Sequence, residues 1–209
     1  MSIALFSVPR AAHVRRHGPN YPDYIRCKPW LRDEFQFRCV YCMFRERWER
    51  GGWRRYHVDH LVPQTVDPSR VTDYENMVYS CDICNSFKSD ETMPSPCDTA
   101  YGEHYEFNDD GVAVSRSGDE GNELIEILGL NSPHAVEHRR RWMEQLREFF
   151  ALKDQLGEPI RTEKLQRWFG YPNDMPDLRR HKPISNSREA GRHQSYLLRL
   201  RRGEIPTIY

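Results

Sequence analysis

Cys39-Val40-Tyr41-Cys42, His57-Val58-Asp59-His60 and Cys81-Asp82-Ile83-Cys84 follow one another within residues 39–84, and this stretch decides how the rest of the chain is read. A CxxC pair sets two thiolates on one tight turn at the bite tetrahedral zinc accepts, and two such pairs complete a closed four-sulfur site. Four thiolates leave no open position for water, so the zinc is expected to be structural. The interval between the pairs is longer than in compact two-CxxC modules, so the sequence inside it must build a structure of its own. That interval holds the reactive side chains.

Outward from this stretch, composition sets the bounds. At 209 residues the chain has room for one domain, or for a small domain with a substantial appendage. Hydrophobic content of 38% and aromatic content of 12% suffice for a core, while a mean hydropathy of -0.85 indicates a polar, loop-rich protein. The apolar run at the start is too short for a secretory signal, and nothing later approaches the roughly 20 apolar residues of a membrane span. A cytoplasmic protein is expected, and in a reducing compartment metal ligation is the better account of the paired cysteines. Cys27 and Cys97 have no CxxC partner and read as ordinary small residues.

Formal net charge is zero, but the charge is segregated. Residues 1–55 carry 12 Lys and Arg against 5 Asp and Glu, with Arg45, Arg47, Arg50, Arg54 and Arg55 lying between the first cysteine pair and His57. Residues 89–126 are acidic, and residues 161–203 are basic again. Phosphate contacts need only local clusters of Lys and Arg, so a polyanion-facing surface is compatible with a neutral protein. Solvated helix faces with internal pairing would give the same segregation.

Three regions are expected: an N-terminal extension over 1–35, a motif block over 36–92, and a mainly helical region over 93–209. A short helix begins after Pro29, with Leu31 and Phe35 on one side. Gly51-Gly52 precedes an aromatic and branched strand over 53–59, residues 76–79 form a second extended segment, and a helix starts at Cys84 with Asn85, Lys88 and Asp90 on its surface. A hairpin around 111–114 and helices over 120–128, 134–156 and 163–169 complete the pattern, with Trp142, Leu146, Phe149 and Phe150 on one apolar face.

The succession CVYC, HVDHLVP and ENMVYSCDICNSFKSD resembles the zinc-containing HNH endonucleases, also called His-Me finger or ββα-metal nucleases, over about residues 36–92. The resemblance implies an α+β fold: a ββα-metal core stapled by Cys39, Cys42, Cys81 and Cys84, with a largely helical C-terminal region. It implies hydrolysis of DNA phosphodiester bonds with Mg²⁺ or Mn²⁺. Such chemistry needs water deprotonated, charge on phosphate stabilised and the leaving oxygen neutralised. His60 suits the first task because imidazole titrates near neutral pH. Asp59 and Asn85 are oxygen donors suited to a hard divalent ion, and they match the family's metal ligands. Asn76 matches the central Asn that braces the loop and orients the base. Asn85 stands where many members have the motif's last histidine, which makes this an HNN variant.

His57 shares a strand face with Asp59, and with Lys88, Arg54 and Arg55 it is a candidate phosphate contact. Trp48, Trp53 and Tyr56 could stack on bases, but covering the zinc knuckle is their more ordinary role. The phrase Leu128-Gly129-Leu130-Asn131 followed by an Arg-rich helix looks similar to the tails of HNH proteins that accompany ATPases in anti-phage systems of the Septu type, which implies an ATPase partner. Leu197, Leu198 and Leu200, set among arginines, suggest a docking tail or nucleic-acid contact. A non-catalytic zinc-knuckle module and a nuclease acting on RNA are the competing readings.

Overall fold

The computed structural model describes residues 6–15, 18–48 and 51–156. Helix α1, Lys28–Glu34, carries Pro29 in its first turn, where a missing N–H costs nothing, and the helix begins one residue ahead of the proline. The chain then makes the zinc knuckle. Cys39 N–H donates to the Phe44 carbonyl at 2.8 Å and Val40 N–H to the Tyr79 carbonyl at 2.9 Å, which pins the knuckle to the strand that follows it in space.

Strand β1, Tyr56–His60, pairs antiparallel with β2, Met77–Cys81, in the register Tyr56↔Cys81 through His60↔Met77. Both strands differ in extent from the sequence expectation. Gly51 and Gly52, at φ +111° and +56°, lead into a 3-10 turn over Gly52–Arg55, so Trp53, Arg54 and Arg55 precede the strand instead of belonging to it. Asn76 closes another 3-10 turn, Tyr74–Asn76, and β2 begins one residue later. Helix α2, Asp82–Lys88, starts at Asp82 and not at Cys84, so Cys81 and Cys84 straddle the strand-to-helix junction. The order β1, loop, β2, α2 is a ββα unit, and the chain is of mixed α and β content.

After α2 come the short helix α3, Tyr101–His104, the expected hairpin as β3, Tyr105–Phe107, with β4, Ala113–Ser115, then α4, Asp119–Ile127, and α5, Pro133–Leu156. Helix α4 ends as helices with a C-terminal glycine do. Gly129, at φ +57°, donates to Glu126 O, and Leu130 N–H reaches back to Ile125 O. Asn131 then clamps β4, its side chain pairing with Ala113 N at 2.7 Å and Ala113 O at 2.9 Å. One apolar core runs from Phe6 through the knuckle and both ββα strands to Leu130 and Met143. Trp142 stacks on Trp48 with centroids 4.9 Å apart, while the side chains of Leu146, Phe149 and Phe150 lie outside the described residues, as do the 163–169 helix and the Leu197–Leu200 tail. No helix among the described residues is long and apolar enough to cross a membrane.

Candidate active site

The register of β1 against β2 builds two sites at opposite ends of one hairpin. At the Tyr56↔Cys81 end, the sulfur atoms of Cys39, Cys42, Cys81 and Cys84 lie within 4.8 Å of one another, all four buried and none in a disulfide. Cys42 and Cys81 Sγ are 3.6 Å apart, close to the roughly 3.8 Å edge that tetrahedral Zn–S bonds of about 2.3 Å give. The residues fit a structural zinc ion. Tyr56, fully buried, donates to Phe44 O at 2.9 Å and stacks on Tyr79, and burial followed by the nearby Cys81 pushes its hydroxyl well above the ordinary phenol range.

At the His60↔Met77 end lies the imidazole of His60. Its Nε2 is 2.9 Å from the Val71 carbonyl, which can only accept, so Nε2 carries the proton and Nδ1 keeps the acceptor lone pair. The Gln64 amide donates toward Nδ1 at 3.3 Å, and Tyr24 packs edge-on against the ring with centroids 5.0 Å apart. Asn76 is fully buried and bridges the intervening loop. It accepts from Val62 N at 2.8 Å and donates to Val62 O at 3.0 Å and Arg70 O at 3.3 Å. These bonds fix the loop that presents Val71, and through it the ring of His60.

Asp59 is buried on the side of α2. Its Oδ2 accepts from Tyr41 OH at 2.7 Å, and its Oδ1 lies 3.1 Å from Lys88 Nζ. Burial pushes the Asp59 carboxyl up, while Lys88 and then Tyr41 pull it back. Lys88 itself is 1% exposed, which corrects the expectation of a surface lysine: at the C-terminal end of a seven-residue helix packed on β1, its side chain runs inward to the carboxylate. Asn85 is half-buried one helical turn before Lys88, on the same side of α2. A carboxylate has about four acceptor positions, so Asp59 has lone pairs left for a hard ion, although such an ion would share the carboxylate with the Lys88 ammonium. Carboxylate and amide oxygens are donors of the type a hard divalent ion takes.

The family model for HNH endonucleases matches residues 39–91. Residues 39–91 form an HNH endonuclease domain. No curated protein matches the chain.

Around this HNH domain the other candidates separate. Arg55 is tied to Asp82 at 2.6 Å, and Arg54 is exposed. His57 faces outward, where burial and then the Lys28 ammonium push its imidazole down, leaving it neutral at pH 7. Of the three aromatics, Tyr56 lies against the knuckle and Trp48 packs with Phe6, Phe44 and Trp142, but Trp53 is 48% exposed. Sequence reasoning missed Tyr41, Gln64, Val71 and Tyr24. Only Tyr41, inside the first CxxC, and Gln64, four residues beyond His60, had a positional signal; the other two are brought in by tertiary contact.

Proposed function

We propose that the chain is a metal-dependent endonuclease that hydrolyses DNA phosphodiester bonds in the cytoplasm, with His60 Nδ1 taking the proton from the attacking water. The observation that carries this reading is the hydrogen bond from His60 Nε2 to the Val71 carbonyl, since it leaves the basic lone pair on Nδ1, met there by the Gln64 amide at a long 3.3 Å. Asn76 acts through the loop backbone as a positioning residue. Asp59 and Asn85 would hold Mg²⁺ or Mn²⁺, which when bound supplies charge stabilisation at the phosphate and leaving oxygen. Cys39, Cys42, Cys81 and Cys84 would hold zinc and keep the hairpin closed at its far end.

Cleavage of supercoiled plasmid and single-stranded DNA with Mg²⁺ or Mn²⁺ tests the proposal, comparing wild type with His60→Ala, both checked for zinc. Wild type is expected to cut, and the zinc-loaded variant to lose on the order of a hundredfold or more in rate. Equal cutting by both removes His60 from the role. A place as effector of an anti-phage system with an ATPase partner rests on the resemblance around Leu128–Asn131; co-purification with such an ATPase and a gain in cleavage are its test.

A further inference from the structure

Trp48 and Trp53 stand five residues apart in the same basic run, yet they meet opposite fates. Trp48 is 6% exposed in the core, whereas Trp53 leaves 48% of its surface in water. Lys28 Nζ sits 4.9 Å from the Trp53 ring centroid, so one region of the indole is backed by a cation. Arg54 beside it is exposed, and the 3-10 turn leading to Lys28, Tyr24–Cys27, presents exposed Arg26 and Ile25, the latter at 60%. That turn also connects the indole to the chemistry. Its first residue, Tyr24, packs on His60, and the residue after its last, Lys28, covers Trp53. At about 2 Å rise per residue the backbones of Tyr24 and Lys28 are roughly 8 Å apart along the turn. An exposed indole and a rim of cations therefore adjoin the same N-terminal turn that packs on the candidate base.

From this juxtaposition, and resting on the nuclease reading above, we infer that Trp53, backed by Lys28 and flanked by Arg26 and Arg54, is a stacking platform for an unpaired nucleobase. The chain then takes its substrate as a single strand. Cations that track the backbone with an aromatic face for bases make a sequence-tolerant single-strand site, because every base has a π-face. A fully paired duplex keeps its bases stacked on one another and offers the indole none.

Fluorescence anisotropy tests the inference on the full-length, zinc-loaded chain. Labelled 20-nucleotide single-stranded DNA and its blunt duplex are titrated with His60→Ala and with His60→Ala carrying Trp53→Ala or Trp53→Phe. The parent is expected to favour the single strand, Trp53→Ala to lose about tenfold on it while changing less than about twofold on the duplex, and Trp53→Phe to keep most of the affinity. Circular dichroism checks that the variants fold. Equal losses on both DNAs, or no loss, overturn the platform. If wild type cuts plasmid but Trp53→Ala binds single strands unchanged, the platform fails alone; if wild type neither binds nor cuts DNA, the nuclease reading falls and takes the platform with it.

Discussion

The carboxylate of Asp59 meets a tyrosine hydroxyl from inside the zinc knuckle and an ammonium from the end of α2, and neither Asp59 nor Lys88 has water to fall back on. Breaking a buried pair from one side leaves an uncompensated charge. Lys88→Met is therefore expected to cost on the order of 3–5 kcal/mol, and the double variant Asp59→Asn with Lys88→Met to recover a large part of it. Urea denaturation decides; a Lys88→Met protein as stable as wild type would show that the pair is solvated. Cysteine chemistry separates the thiols by the same logic. Burial, and then Asp23, push the Cys27 thiol up to about 11, so at pH 8 almost none of it is thiolate. Half-buried Cys97, also pushed up by burial, is the more accessible of the two. In zinc-loaded protein at pH 8, iodoacetamide is expected to label Cys97 first and to leave Cys27 and the four clustered cysteines untouched, the four becoming reactive on chelation. Mass spectrometry reads the order, and labelling of Cys81 or Cys84 at the rate of Cys97 would count against the closed site.

Elements are held to one another at glycines as well as through the core. Gly102 in α3 donates to Pro9 O at 2.8 Å, and a Cβ there would lie 2.5 Å from the carbonyl oxygens of both Pro9 and Val8. Backbone cannot yield as a flexible side chain does. Gly102→Ala is expected to push residues 8–9 off α3 and to cost about 1–3 kcal/mol, seen as a lower Tm and faster proteolysis near the N-terminus. Helix α5 is tied in from the other end by Arg139, 1% exposed, which donates to Gly111 O at 2.6 Å and to Leu130 O and lies 4.5 Å over the Phe107 ring. Burial pushes its guanidinium down, and the neighbouring Cys42 and Cys84 oppose that shift. With zinc bound, four thiolates carry more negative charge than the ion neutralises, so Arg139 offsets the excess. Arg139→Met should therefore lower stability by about 2–4 kcal/mol and speed transfer of zinc to a chromogenic chelator; unchanged zinc transfer would separate Arg139 from the metal.

Over the whole molecule, the apolar core does not stop where the motif block stops. Phe6 packs on Phe44 and Trp48, Tyr105 donates to the carbonyl of Tyr41, and Leu128 and Leu130 are buried in the same cluster as the cysteines. A fragment of residues 36–92 would expose these faces to water and is expected to stay unfolded even with zinc. Amide dispersion in its NMR spectrum is the measurement, and a well-dispersed spectrum would show the block to be self-sufficient.

Much of the site was legible in the sequence because its chemistry depends on residue type at fixed spacing. Two CxxC pairs specify a four-sulfur cluster, and a strand, a helix and their order follow from local pattern. Leu-Gly-Leu-Asn, read as a family phrase, also has a local cause: Gly129 caps α4 and Asn131 clamps β4. What spacing could not fix was direction. Lys88 turns inward because α2 packs on β1, Trp53 stays outside while Trp48 goes in, and the proton of His60 is assigned by a carbonyl eleven residues away. Those outcomes depend on which surfaces meet across the core, and that is decided only when the chain has folded.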